Sequence, residues 1–147
     1  MYLDKQLMVS DAQLVTATAV STNMIDTQLA SPIRAVGWGE EMRMVITAAL
    51  AALAAGAATV TFELIQADDA NGTVNVEVLA GTAAIPKATI VAGYVAMDLV
   101  LPRNTRRYIG VRYTVGTGPL TQGTFSAGLV HDTDRQIQYP SGYPNAY

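Results

Sequence analysis

The sequence predicts an all-β fold: a jelly-roll-like antiparallel β-sandwich of about eight short strands, with extended arms at both ends. Three observations carry this. Apolar residues recur at every second position in run after run, the period of a pleated strand rather than of a helix. Turn-forming clusters separate the runs at intervals near ten residues, the cadence of a sandwich or jelly roll. No strand–helix alternation of the kind a parallel sheet requires is present. Strand counting alone leaves a closed barrel open, because a sheet closed on itself has the same cadence.

Residues 1–12 lack clean periodicity and read as an arm leading into one domain over residues 13–135. Ala12 to Val20 predicts a strand, and Asn23 to Thr27 a short one. Ser31-Pro32 breaks the chain, and Gly37-Trp38-Gly39 places the only tryptophan in a loop. Met42, Met44 and Ile46 alternate with Arg43, Val45 and Thr47 in another strand. Ala48 to Ala55 has high helix propensity, so one or two helical turns or an ordered loop is expected there.

In the middle, Val60, Phe62 and Leu64 oppose Thr59, Thr61, Glu63 and Ile65. After the turn signal Asn71-Gly72, Val74, Val76 and Val78 alternate with Asn75 and Glu77 as an inside–outside pattern. Val95, Met97, Leu99 and Leu101 form another inward set, ended by Pro102, which lacks a ladder donor. Ile109, Val111, Tyr113 and Val115 then share one face, as do Phe125, Ala127 and Leu129. The cluster Val115-Gly116-Thr117-Gly118-Pro119 between them predicts a hairpin. Residues 136–147 place three of the seven tyrosines among prolines and read either as an extended arm lying across a neighbouring subunit or as a frayed tail.

Composition narrows the function. Charged residues make up only 14% of the 147 residues, against roughly 25% in a typical soluble domain. Such a deficit fits a surface covered by partner subunits, or a neutral Thr/Ser/Gln-rich one. A net charge of −3 argues against nucleic acid or an anionic membrane as the main partner. With no cysteine there are no disulfides, thiolate metal sites or cysteine nucleophiles. The start, MYLDKQLMVSDAQ, lacks the basic and apolar regions of a signal peptide. Met44 to Phe62 carries no charge over 19 residues, but eight are Ala, so a membrane span is not expected.

Nothing assembles into a catalytic constellation. The only histidine, His131, stands beside Asp132 and Asp134, far from a defined metal-ligand set and read as a solvated strand end, and no Gly-x-Ser-x-Gly elbow is present. Asp68-Asp69-Ala70-Asn71-Gly72 lacks the spaced ligands and closing Glu of a calcium loop. No phosphate-binding glycine loop occurs either. The chain is therefore expected to be no enzyme and to need no cofactor or metal. Arg103, Arg106, Arg107 and Arg112 hold four of the nine Lys/Arg residues and suit either an acidic protein patch or solvated strand edges.

Three segments together carry a family resemblance: MYLDKQLMVSDAQ with VTATAVSTNMID, the central AGAATVTFEL, and TRRYIGVRYTVGTGPLTQGTFSAGLVHD followed by YPSGY. In this order they resemble the capsid cement, or decoration, proteins of short-tailed double-stranded DNA bacteriophages, over most of the chain. The chain departs from them in a longer Ala-rich connection around Ala48–Ala55 and in the Tyr/Pro tail after Tyr143.

The resemblance implies a jelly roll on the outer surface of a virion, made in the host cytoplasm. It further implies a homodimer that staples neighbouring major capsid protein subunits. Contacts are expected from Tyr2, Leu3, Trp38, Arg106, Arg107, Tyr139 and Tyr143. The alternative is a carbohydrate-binding jelly-roll module on a virion or cell surface, with Trp38 and tyrosines around a groove.

Overall fold

The computed structural model describes residues 4–27, 41–103 and 105–131. Among these, ten strands follow in order: β1 (Met8–Leu14), β2 (Ala19–Val20), β3 (Ile25–Asp26), β4 (Arg43–Leu53), β5 (Thr59–Ala67), β6 (Glu77–Gly81), β7 (Ile85–Pro86), β8 (Val95–Val100), β9 (Tyr108–Gly116) and β10 (Gln122–Val130). Two single 3-10 turns, Lys5–Leu7 and Lys87–Thr89, are the only helical elements of the described residues.

The strands form two antiparallel sheets. The first has the order β1-β10-β4-β8 and the second β2-β9-β5-β6. β3 continues the place of β2 along β9, and β7 that of β6 along β5. Ten strands therefore occupy eight positions. The pairing is nested: β1 with β10, β2/β3 with β9, β4 with β8, and β5 with β6/β7. A chain folded back on itself in this way and rolled until β10 meets β4 and β9 meets β5 is a jelly roll.

Three aromatic rings fasten the sheets together. Phe62 and Tyr113 are cross-strand neighbours in the second sheet, with ring centroids 6.0 Å apart and edge-on. Phe125, from the first sheet, sits 5.1 Å from Phe62 and 5.4 Å from Tyr113. Ile46, Leu64, Ile109, Val111 and Leu129 complete a dry interior around them. The Tyr113 hydroxyl reaches across to donate to Ser10 Oγ at 2.8 Å, and Ser10 in turn donates to Gln13 Oε1. Gln13 also accepts from the Thr22 amide and donates to the Val20 carbonyl, so one polar chain ties β1 to the opposite sheet. Burial pushes the Tyr113 phenol up to about 12.

Several expectations are corrected. The 115–119 turn does not close a hairpin: β9 and β10 lie in different sheets, and the chain crosses the sandwich there with Thr117 and Gly118 at positive φ. The arm expected over residues 1–12 ends early, because β1 already begins at Met8 and buries Val9. Its alternation was hidden by two register shifts against β10 and by Ala12 at φ 44°. The predicted strand over Ala12 to Val20 is accordingly the end of β1 and the two-residue β2.

The segment Ala48–Leu53 is strand, not helical turn. It is the second half of β4, flanked by β10 and by backbone bonds from Ala48 to the Tyr94 carbonyl and from Ala52 to the Ile90 carbonyl. Two ladders outweigh alanine's helix propensity. Finally, the valine run after Gly72 does not face inward. Val74 and Val78 are exposed, and the strand begins only at Glu77, with Leu79 as its core contact.

Candidate functional site

The outer face and rim of the second sheet carry eight of the sixteen described Asp, Glu, Lys and Arg residues, and all but Asp69 are closed into pairs. Glu63 on β5 stands opposite Arg112 on β9 and accepts from its Nε at 2.7 Å and from Thr114 Oγ1 at 2.8 Å. The arginine holds the Glu63 carboxyl below its ordinary value, and the carboxylate raises the guanidinium. At the strand end, Arg107 grips Asp26 through two bonds of 2.9 and 2.8 Å, a bidentate fork, and lies over the Tyr108 ring at 5.1 Å.

Arg106 meets Asp68 at 3.1 Å and Glu77 at 3.7 Å, while its backbone amide donates to Gln66 Oε1. Such exposed, solvent-screened pairs add little to stability. Their larger effect is to bind the loops and strand ends of this side to one another, with three guanidiniums set among the five carboxylates Asp26, Glu63, Asp68, Asp69 and Glu77.

Between β5 and β6, Asp69 organises the loop. Its carboxylate accepts from the amides of Asn71, Thr73 and Val74 and from Thr73 Oγ1, at 2.7–3.2 Å. Those donors, the Val74 amide foremost, hold its carboxyl down to about 2. The oxygens are consumed by the turn itself, which accounts for the acidic cluster without a cation. Among the described residues no group of three or more His, Cys, Asp or Glu could hold a metal. No described helix is long and apolar enough to cross a membrane.

Of the seven expected contact residues, Tyr2, Leu3, Trp38, Tyr139 and Tyr143 lie outside the described residues. Arg106 and Arg107 are brought together at one end of the second sheet, each already paired within the chain. Arg112 likewise is spoken for by Glu63. Three of the four arginines of the basic cluster are thus internal clasps, with acidic partners up to 81 residues away in sequence. No local spacing signals such pairings.

The outer face of the first sheet is different. Leu14, Thr124 and Leu50 form one register row across β1, β10 and β4, and Leu53 stands opposite Gln122 beyond it. Leu14 is 61% exposed, Leu50 49% and Leu53 50%, with Val91 and Val95 more than half exposed alongside β4. Val95 belongs to the expected inward set, and Leu50 and Leu53 to the segment expected as helical turns or an ordered loop. Register shifts put them outside, between Ile46 and Thr47 against β8 and between Gln122 and Phe125 along β10. Pairing partners decide such shifts, and the sequence pattern alone carries no mark of them.

The family model Bbp16 matches residues 9–129, a span that runs from β1 through β10 and takes in both sheets. No curated protein matches the chain.

Proposed function

The chain belongs to the Bbp16 family, and from that premise we propose that it is a capsid cement protein. In this reading it binds the outer surface of a phage head, as a homodimer, and staples neighbouring major capsid protein subunits against the pressure of packaged DNA. The observation that carries it is the three-block resemblance to phage cement proteins, lying largely within the segment that the family match covers.

The physical form of the molecule supports the same reading. A sandwich with a ring cluster at its centre and a polar chain between its sheets is rigid, so it loses little entropy on docking. Nine of the sixteen described Asp, Glu, Lys and Arg residues are turned on one another, as suits a part that is held by shape and apolar contact. Repeated around a closed shell, modest interfaces add up through multivalent attachment.

The test is direct. Heads stripped of the protein should lose thermal and mechanical stability and regain it when the purified chain is added back. Unchanged stability on removal would end the cementing role. Reproducible binding on a glycan array, with no binding to heads, would move the assignment to a carbohydrate module.

A further inference from the structure

We propose that the shell-facing surface is the outer face of the sheet β1-β10-β4-β8, at the end marked by Leu14, Leu50, Leu53, Val91 and Val95. Its partner there is an uncharged, apolar patch of the shell protein. The inference rests on the cement reading and adds to it the face and the chemistry of contact.

Charge is the first argument. The register neighbours of these residues, Thr124, Gln122 and Thr47, are neutral. The Thr124 hydroxyl oxygen is itself buried, with no partner among the described residues, so the central row offers solvent no polar side-chain atom. β10 contains no charged residue, and β4 and β8 contain one each, Arg43 and Asp98, which pair with each other at 2.6 Å; charge returns only at the rim of the patch, with Asp11 on β1 three residues from Leu14 and Lys87 donating to the Ala54 carbonyl just past the end of β4.

Arg43 lies seven residues along β4 from Leu50, roughly 23 Å at strand rise and well beyond a Debye length of about 8–10 Å. A charged partner set on the Leu14–Thr124–Leu50 row would be desolvated with no opposite charge within the row. A neutral apolar surface suffers no such loss.

Area is the second argument. Five side chains about half exposed amount to roughly a few hundred Å² of apolar surface, the size of a functional patch. A standing dimer needs about 800 Å² from each copy. The patch falls short of that but suits a contact repeated many times over a shell. On the opposite sheet, exposed Val78 is bordered by Glu77, which pairs with Arg106, so the apolar surface there is interrupted by charge.

The experiment compares full-length variants for binding to heads stripped of the protein, by cosedimentation, with thermal melting and sedimentation velocity of the free chain. Leu50→Lys and, separately, Leu53→Lys each alter an exposed side chain, and either one suffices if the other fails to fold. Both should keep the wild-type melting transition and lose on the order of tenfold or more in affinity for heads. Leu50→Met should bind as wild type, and so should Val78→Lys on the other sheet.

Loss of head binding by Val78→Lys with retention by both lysine variants of β4 would overturn the assignment of the face while leaving the cement role standing. Conversion of a dimer to a monomer by Leu50→Lys, with head binding intact, would overturn the choice of partner in favour of a second copy. Failure of the wild-type chain to bind heads at all would remove the cement reading and this inference with it.

Discussion

The Asp69 carboxylate takes four hydrogen bonds within its own turn, and its carboxyl sits at about 2 rather than the ordinary 3.8. A depressed value means that the folded state favours the ionised form. The stabilisation is complete above the unfolded value and is lost as pH falls through the interval from 3.8 to about 2. Asp69→Asn should therefore melt lower than wild type at neutral pH and show a shallower decline across that interval, read by thermal melts at stepped pH. The buried hydroxyls give a second test. Tyr113→Phe removes a donor while Ser10 keeps Gln13 as a partner, costing about 0.5–1.5 kcal/mol. Ser10→Ala strands the phenol in the core and should cost about 1–3 kcal/mol in urea unfolding. A reversed order would show that the polar chain is anchored elsewhere.

Among the elements, β4 and β9 show what neighbours do to a local preference. Ala48–Leu53 is rich in helix formers and is nonetheless a strand, because its amides are taken up by the Tyr94 and Ile90 carbonyls on one side and by β10 on the other. In β9, Gly110 leaves room for the Met24 side chain, which would otherwise collide with a Cβ; Ser21 Oγ stands 2.9 Å from the same point. That contact holds the β2–β3 segment on the outer face of the second sheet. Gly110→Ala should destabilise by about 1–3 kcal/mol through overpacking. Combining it with Met24→Ala should give less than the sum of the two single losses, a coupling read from a double-mutant cycle.

At the scale of the whole molecule, the two sheets share one core, and Phe62 meets rings from both. Phe62→Ala should cost about 3–5 kcal/mol, a large share of the roughly 5–15 kcal/mol that holds a domain together. It should lower a single cooperative transition, since neither sheet keeps a covered face without the other; two separate transitions in calorimetry would contradict a shared core. The nested pairing of the first strand with the last makes most contacts distant in sequence. Refolding is accordingly expected on the millisecond-to-second scale typical of β-sandwiches, measured by stopped-flow fluorescence of the full chain.

The sequence by itself determined which side chains turn inward along the regular strands. Val60, Phe62 and Leu64, then Ile109, Val111 and Tyr113, then Phe125, Ala127 and Leu129 are all buried as their alternation indicates. Alternation is a property of the pleated backbone, so it is written locally. Only the tertiary structure decided which strand lies beside which: that β9 and β10 part company at Gly116–Pro119, that an alanine-rich segment completes β4, and that the arginines close on Asp26, Asp68 and Glu63. It also decided that Leu14 and Leu50 meet across Thr124 on an outer face. The physical reason is that ladder hydrogen bonds join backbone groups alike at every residue. A period-two pattern can therefore say which way a side chain points without saying what it stands next to.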